Sequence, residues 1–201
     1  MIAFAPHDLL RLDAHALDDD VMLPAWARAS LARTPWVVVR RACASDTIPV
    51  GIRGNTRTER HGTRVATANV CAVATPASLV AQISANANVR PIDRAARALR
   101  AAAHDARLGL GIGGSYGFEL ATGTVATHAG SDIDAIVGIS DRATLRAFAK
   151  ACDAIEATTG IRIDVEVAHP RGGVALHDTI GAATTLLVKT ETGPVLVPCL
   201  P

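Results

Sequence analysis

The chain has 201 residues, of which 49% are hydrophobic and 19% are charged, and its formal net charge at pH 7 is +1. That length supports one domain or two small domains with a genuine core, and the balanced charge excludes both general disorder and a global affinity for nucleic acid. Aromatic residues make up only 3% of the chain, which also excludes a protein that reads single-stranded nucleic acid by stacking bases on aromatic rings.

The cysteines and the amino terminus constrain redox chemistry and cellular location. The four cysteines are widely scattered, and no two have the spacing of a zinc site or a redox pair. Cys71 and Cys152 stand among apolar residues and are expected to be buried thiols. The start of the chain lacks the basic residues and apolar core of a signal peptide, and no apolar run reaches membrane-spanning length. We therefore expect a cytoplasmic protein without a membrane partner.

The first part of the chain predicts a small α/β unit. Residues 24–33 predict a helix, with proline at the first turn, where its missing N–H costs nothing. Residues 35–40 are rich in β-branched side chains and predict a strand, and residues 48–53 predict a second one. Another helix is expected over residues 75–83. The Asn-Ala-Asn sequence at residues 86–88 is the expected joint to the next unit.

A basic stretch follows the second predicted strand and includes Arg53, Arg57 and Arg60. Two interpretations are open. The charges belong to a solvated strand and loop, or they form an arginine cluster that binds a polyphosphate, for which the planar guanidinium is well suited. The second interpretation gains weight only if the C-terminal half of the chain handles phosphates.

The C-terminal half alternates predicted helices and strands. The helix at residues 90–107 is alanine-rich and has no internal breaker. The other expected helices are residues 116–120 and 143–157, and the expected strands are residues 108–112, 132–139, 161–168, 184–189 and 194–197.

The strongest chemical signal is the Ser-Asp-Ile-Asp sequence at residues 131–134. In an extended segment residues two apart point to the same face, so Asp132 and Asp134 converge while Ile133 is buried behind them. Two convergent carboxylates suit a hard cation such as Mg²⁺ (or Mn²⁺), which in turn binds phosphates. An isolated Asp-x-Asp is more often structural. Here the pair opens an apolar strand and follows a glycine turn at the end of another strand, which favours phosphate-transfer chemistry.

That glycine turn, Gly113-Gly114-Ser115, lies sixteen residues before Ser131. Its backbone N–H groups are expected to be free and uncrowded, and such a concavity suits a phosphate. We therefore predict that Gly113, Gly114 and Ser115 contact the phosphates of a substrate, with Ser131 as a further contact. The nearby His128 is better explained as a hydrogen-bond partner in a turn than as a catalytic group.

A third carboxylate is expected from the strand at residues 161–167, in which polar and apolar residues alternate. Asp164 and Glu166 lie on the same face of this strand, so both are candidate metal ligands and both alternatives remain open. We favour Asp164, whose shorter side chain is nearer the start of the strand.

A dinucleotide-binding site is the competing interpretation of the glycines at positions 109, 111, 113 and 114, since an acidic residue follows about twenty residues later. In that motif the acidic residue ends an apolar strand. Here a polar turn precedes Asp132 and the apolar strand comes after the pair, so this interpretation is set aside.

The order of elements over residues 90–170 resembles the nucleotidyltransferase superfamily. Nearly the whole chain is more closely similar to the malonate decarboxylase holo-acyl-carrier-protein synthase family, the phosphoribosyl-dephospho-CoA transferases. The matching segments are residues 7–12, 35–41, 49–57, 121–123, 128–134, 164–166 and 187–190.

The resemblance implies an α+β fold in which a nucleotidyltransferase-like mixed sheet with flanking helices (residues 87–201) follows a smaller α/β domain for substrate or carrier binding (residues 1–86). It implies transfer of the phosphoribosyl-dephospho-CoA group from 2′-(5″-triphosphoribosyl)-3′-dephospho-CoA to a serine of the malonate decarboxylase acyl-carrier subunit, with release of pyrophosphate. Asp132 and Asp134 match the catalytic aspartates of the family. The alternatives are a different metal-dependent nucleotidyltransferase and a non-catalytic nucleotide-binding regulator.

Overall fold

A computed structural model of the protein describes residues 4–18, 20–42, 46–56, 58–84, 90–181 and 184–198. Two β-sheets and six α-helices form within these residues, which confirms the predicted α+β class. No helix in the described part of the chain is both long enough and apolar enough to cross a membrane.

The N-terminal sheet has five strands and one helix beside it. They are β1 (Leu9–Leu12), α1 (Ala25–Arg33), β2 (Trp36–Val39), β3 (Thr47–Arg53), β4 (Arg60–Ala66) and β5 (Val70–Ala74), with a short 3₁₀ turn at Thr67–Asn69. The strands lie in the order β4-β3-β2-β1-β5, and every neighbouring pair is antiparallel.

Alternation along the strands gives this sheet two different faces. In β3, Ile48, Val50 and Ile52 are buried against α1, together with a row of other apolar side chains. Burying each such side chain contributes roughly 1.5–3 kcal/mol, and a register shift of one residue would expose the whole row, so the orientation of the sheet is strongly specified. The opposite face carries Gly51 and Arg53 and is turned toward the C-terminal half of the molecule.

A short linking segment leads from the first sheet toward the second. Thr75 caps helix α2 (Pro76–Leu79), since its hydroxyl accepts a hydrogen bond of 3.2 Å from the Ser78 N–H. A 3₁₀ turn follows at Val80–Gln82. The expected joint at residues 86–88 lies outside the described residues.

The C-terminal sheet has six strands with four helices around it. The elements are α3 (Pro91–Asp105), β6 (Leu110–Ile112), α4 (Gly114–Thr122), β7 (Ile133–Gly138), α5 (Arg142–Thr159), β8 (Ile163–His169), β9 (Gly172–Ala175), α6 (Leu176–Ile180), β10 (Thr185–Thr190) and β11 (Gly193–Pro198). The order is β11-β10-β9-β8-β7-β6. Strands β7 and β8 are parallel and are joined through α5, because parallel neighbours need a crossover, whereas the other pairs are antiparallel.

Helices α3 and α5 cover only one face of this sheet. Leu99 and Phe148 from the helices belong to the same buried cluster as Val165 of β8. Asp164 and Glu166 alternate with the buried residues of β8 and lie on the other face, as predicted from the sequence pattern. The acidic face of the sheet therefore points away from the helical core.

The open faces of the two sheets approach each other through a small apolar contact. Leu9 of β1, Leu79 of α2 and Phe118 of α4 form its buried part, and Trp36 and Val38 of β2 pack beside them. This contact closes one end of the space between the sheets and leaves a polar cavity next to it.

Most of the predicted helices and strands are present, but four elements were not anticipated from the sequence: β1, β5, β9 and α6. Strand β4 corresponds to the solvated strand that was one of the two interpretations of the basic stretch, and its basic residue Arg60 is exposed. The expectation of a buried Cys71 is wrong. Alternation along β5 places Cys71 on the exposed side, whereas Cys152 in α5 is buried as expected, and burial raises the pKa of its thiol to about 12.

Candidate active site between the two sheets

A cavity of about 570 Å³ lies between the open faces of the two sheets. The C-terminal half contributes an acidic wall with Asp132, Asp134 and Asp164. The N-terminal sheet contributes a basic wall. The cavity residues from that sheet and from the segments beside it include His7, Arg40, Gly51, Arg53, Arg60, His61 and Gly62. Residues from distant parts of the chain therefore meet in one site of opposed charges.

The acidic wall is built on the two parallel strands. Asp134 of β7 and Asp164 of β8 are direct partners in the strand register, and Asp132 lies just before β7. Burial raises the pKa of the Asp134 carboxyl above its ordinary value, and the negative charges of Asp132 and Asp164 raise it further. Asp132 forms an ion pair with the exposed guanidinium of Arg162. The site thus concentrates negative charge around Asp134.

The glycine turn brings the first turn of α4 against the Asp134 carboxylate. Gly114 has a φ of +59°, and a Cβ atom at this position would overlap that carboxylate. The Gly113 N–H donates a hydrogen bond of 2.8 Å to the Asp134 carbonyl, so it is occupied, in contrast to the free N–H group expected from the sequence. The Ser115 hydroxyl accepts a hydrogen bond of 3.1 Å from Arg53.

Substitution of Gly114 by Ala is therefore expected to damage the site directly. A left-handed backbone costs about 1–3 kcal/mol for a residue other than glycine, and the added methyl group must also displace the Asp134 carboxylate. We expect the catalytic rate to fall on the order of 100-fold, with a measurable loss of thermal stability. Gly123→Ala is the matched control, because Gly123 has a φ of +69° but open space around it. Equal activity loss in the two variants would contradict a role for close approach at Gly114.

Ser131 shapes the turn that leads into the aspartate pair. Its buried hydroxyl accepts a hydrogen bond of 2.9 Å from the His128 N–H, and the Gly130 N–H donates one of 3.1 Å to His128 Nδ1. Ser131 and His128 both line the cavity. These bonds hold the backbone immediately before Asp132 in place.

A network of charged groups supports the other side of α4. Arg90 pairs with Asp93 at 3.0 Å and with Glu119 at 2.6 Å, and the Tyr116 hydroxyl donates a bond of 2.9 Å to Asp93. Glu119 also accepts bonds from the N–H and hydroxyl groups of Thr127. The network ties α3, α4 and the loop before Asp132 together.

Electrostatics in this network favour the ionised carboxylates. Burial by itself raises the pKa of Asp93 and of Glu119, but the hydrogen bonds from Arg90 and from the other donors to each carboxylate together outweigh it, and both pKa values lie below their ordinary range. Burial and the bond to Asp93 raise the pKa of Tyr116, which keeps its hydroxyl protonated as a donor. This network was not predicted from the sequence, because its residues are separated along the chain.

The basic wall centres on Arg53, which connects the two halves of the molecule. Its guanidinium reaches Ser115, the Ala126 carbonyl at 3.4 Å and the ring of Phe118, whose centroid is 5.2 Å away. Burial lowers the pKa of Arg53, and the positive charge of Arg60 lowers it further. Arg60 also lines the cavity, whereas Arg57 lies outside the described residues.

The two candidates for the third carboxylate have different surroundings. Asp164 lines the cavity with Asp132 and Asp134. Glu166 instead lines a second cavity of about 970 Å³ and contacts Arg41 at 2.5 Å, His7 Nε2 at 3.3 Å and Lys189 at 3.8 Å. Burial raises the pKa of Glu166, but its bond to His7 and the charge of Arg41 hold it below the ordinary range.

His7, which lines both cavities, is a cavity residue that sequence reasoning did not identify. Its backbone φ is +75°, which is unusual for a residue other than glycine and is a form of strain that clusters at functional sites. Arg162 was likewise missed as the partner of Asp132. No local pattern in the sequence distinguishes either residue, because their partners lie on other strands.

The acidic wall suits Mg²⁺ in its donor chemistry. Within the described ranges no three carboxylate, imidazole or thiol side chains form a complete ligand set. Mg²⁺ rarely needs one, since it is usually held by one or two carboxylates together with waters and substrate phosphates. Asp132, Asp134 and Asp164 supply hard oxygen donors at one edge of a cavity, and the repulsion around Asp134 is the kind that a cation relieves. The residues present therefore fit the metal expected from the sequence.

Comparison with known proteins gives matches along almost the entire chain. A family model described as "Phosphoribosyl-dephospho-CoA transferase MdcG N-terminal domain" matches residues 5–76, and one described as "Phosphoribosyl-dephospho-CoA transferase MdcG C-terminal domain" matches residues 78–199. No solved structure gives a significant match.

Curated relatives agree with the family models. The phosphoribosyl-dephospho-CoA transferase of Pseudomonas syringae pv. tomato is 36% identical over 194 residues, which cover 96% of this chain and 90% of that protein. That of Pseudomonas putida is 37% identical over 207 residues, covering 98% and 95%. That of Azotobacter vinelandii is 32% identical over 202 residues, covering 96% and 92%.

Proposed function

The chain belongs to the phosphoribosyl-dephospho-CoA transferase family, and from this we propose that it modifies the acyl-carrier subunit of malonate decarboxylase. In the proposed reaction, 2′-(5″-triphosphoribosyl)-3′-dephospho-CoA donates its phosphoribosyl-dephospho-CoA group to a serine of that subunit, and pyrophosphate leaves. The observation that carries this proposal is the cavity in which three aspartates face several arginines. Such an arrangement suits a substrate with many phosphate charges and a reaction assisted by a divalent cation.

The order of elements around the cavity supports a nucleotidyltransferase-like catalytic domain. Strand β6 leads through the glycine turn into α4, β7 begins beside the aspartate pair, and α5 leads to the parallel strand β8 with Asp164. We assign residues 87–201 to this catalytic domain and residues 1–86 to binding of the substrate or the carrier. Arg53 contacts groups on both sides of the cavity, so the substrate site needs both domains.

The phosphates of the donor are divided between the two walls of the cavity. Asp132 and Asp134 would hold Mg²⁺ or Mn²⁺, which supplies charge neutralisation at the reacting phosphates. Ser115 and the N-terminal turn of α4 would contact the same phosphates, and Gly114 leaves room beside that turn for the Asp134 carboxylate. Arg53 and Arg60 bind phosphate oxygens from the opposite wall, where guanidinium groups form bidentate hydrogen bonds.

The proposed chemistry is a single displacement at phosphorus. The serine oxygen forms a bond to the innermost phosphorus of the triphosphate while the bond from that phosphorus to the departing pyrophosphate breaks. The proton of the serine hydroxyl passes to Asp164, which lies beside Asp134 and has no ion-pair partner among the described residues. Glu166 contacts His7 and is paired with Arg41 and Lys189, which makes it the weaker candidate for this step.

Intact mass of the carrier tests the proposed function. The unmodified acyl-carrier subunit is incubated with this protein, triphosphoribosyl-dephospho-CoA and Mg²⁺. The expected result is a mass gain equal to one phosphoribosyl-dephospho-CoA group, with pyrophosphate released in equal amount. Addition of EDTA should abolish both signals, and excess Mg²⁺ or Mn²⁺ should restore them.

One control and three alternative outcomes separate the proposed function from its competitors. A carrier with its acceptor serine replaced by Ala should gain no mass, which separates the expected product from labelling elsewhere. Failure of a well-folded enzyme to modify authentic carrier would overturn the assignment of the acceptor. Pyrophosphate release with a different hydroxyl acceptor would then identify another nucleotidyltransferase, and binding without release would identify a regulator.

A further inference from the structure

The open face of the N-terminal sheet contains a floor made of two glycines. Gly51 of β3 and Gly62 of β4 are direct cross-strand partners, and both line the cavity between the sheets. Glycine within a strand is unfavourable unless another group approaches the backbone closely. Two paired glycines on the outer two strands of this sheet, β3 and β4, therefore indicate that the space above them is needed for another group.

The group that occupies this space is the side chain of Arg40. A Cβ atom at Gly62 would overlap Nη1 of Arg40, and one at Gly51 would lie 3.4 Å from Arg40 Cδ. The Arg40 N–H is anchored to the Pro49 carbonyl at 2.8 Å, directly after β2. The paired glycines thus leave room for the Arg40 side chain, whose aliphatic part passes Gly51 and whose guanidinium lies at Gly62, beside the cavity.

The arginines on this wall form no close ion pair with a carboxylate in the described part of the chain, although the charge of Asp134 acts on Arg53 from the opposite wall. No ion pair is formed there by Arg40, Arg53 or Arg60. Arg53 and Arg60 are moreover direct cross-strand partners, an arrangement that is destabilising for like charges. Arg41, the next residue after Arg40, is by contrast paired with Glu166. Several guanidinium groups that face a cavity without a direct ion pair indicate an anionic ligand.

We propose that Arg40, on the floor formed by Gly51 and Gly62, is a substrate-binding residue. Together with Arg53 and Arg60 it binds a diphosphate group. This inference rests on the proposed function, since the donor contains two such groups: the pyrophosphate end of its triphosphate and the diphosphate bridge of its dephospho-CoA part. A guanidinium positioned at the cavity suits phosphate oxygens, with which its planar group forms bidentate hydrogen bonds. The glycines act as positioning residues, because their missing side chains determine where the guanidinium lies.

Binding measured without the carrier separates this inference from the proposed function. Isothermal titration calorimetry of the full chain with Mg²⁺ uses two probes, inorganic pyrophosphate and dephospho-CoA. Arg40→Gln is expected to weaken binding of the probe that occupies this subsite between about 10-fold and 100-fold, the range of hydrogen bonds to charged groups. Loss for pyrophosphate places the leaving group on Arg40, and loss for dephospho-CoA places the diphosphate bridge there.

Two further variants sharpen the test. Gly62→Ala keeps every charge but displaces the guanidinium, and it is expected to weaken the same probe at least about threefold; Gly62 does not have a left-handed backbone, and thermal unfolding checks that the variant is folded. Arg11→Gln removes a charge from the same sheet outside this cavity and should leave both affinities within about twofold. Wild-type affinity of Arg40→Gln for both probes overturns the proposal, as does failure of the wild-type protein to bind either probe.

Discussion

Replacement of Asp134 by Asn is expected to abolish transfer to the carrier and at the same time to stabilise the unliganded protein. Removing one carboxylate charge from the proposed metal-binding edge should lower the rate by about 10³-fold or more. Asp134 is also the carboxyl whose pKa is raised by burial and by its acidic neighbours, so its ionised form disfavours the folded state. Its removal should raise stability on the order of 1 kcal/mol, or roughly 2–4 °C in Tm for a chain of this size.

The pH dependence of this stabilisation has a defined sign. Because the pKa of Asp134 is raised in the folded state, the folded protein binds this proton more tightly than the unfolded chain does. The loss of stability caused by ionised Asp134 is therefore complete at neutral pH, and it disappears as the pH falls below the pKa of the unfolded chain, about 4. The Tm advantage of Asp134→Asn should therefore shrink on acidification, as thermal unfolding at several pH values would show. Asp153→Asn, at an exposed site in α5, is the control. Normal transfer by Asp134→Asn would exclude the proposed metal site.

The second large effect is expected at Asp164, and the informative comparison is with Glu166. Asp164→Asn should reduce transfer on the order of 100-fold, because this carboxylate lies beside Asp134 and faces the same cavity. Glu166→Gln should reduce transfer less than about tenfold. It should instead lower the free energy of unfolding by about 1–3 kcal/mol, because Arg41 and His7 lose a charged partner at a contact between the two halves of the chain.

Steady-state kinetics and chemical denaturation of both variants, measured side by side, decide between the two carboxylates. A larger activity loss in Glu166→Gln, without loss of stability, would make Glu166 the third functional carboxylate and would contradict the assignment to Asp164. The two substitutions each exchange one carboxylate for the matching amide, so each variant serves as the control for the other. Retained Mg²⁺ dependence in both would show that the Asp132 and Asp134 edge is intact.

Arginines of the N-terminal half connect it directly to the C-terminal half of the site. Arg53 contacts Ser115 and the loop that precedes Asp132, while Arg41 crosses to Glu166 and to the Lys189 carbonyl at 3.1 Å. Both arginines join the basic sheet to the acidic one. Relative movement of the sheets would therefore change the width of the cavity and the distance between its opposite charges.

Local sequence patterns were sufficient for the parts of the protein that depend on neighbours in the chain. Alternation identified the strand that carries Asp164 and Glu166, and the Ser-Asp-Ile-Asp sequence identified the aspartate pair at the start of β7. The glycine turn before α4 was also identified, but the prediction of free N–H groups there was wrong at Gly113, whose N–H is bonded to the Asp134 carbonyl. These features follow from strand and turn geometry, in which a few consecutive residues determine the structure.

Only the tertiary structure separated Asp164 from Glu166, since both lie on one face of one strand and differ in what the N-terminal sheet places opposite them. The same is true of Arg40, whose position depends on a register that pairs Gly51 with Gly62. The sequence by itself determined the α+β class and the acidic chemistry. Which acids and arginines share a cavity was decided by the packing of two sheets, because contacts between residues distant in the chain leave no trace in local spacing.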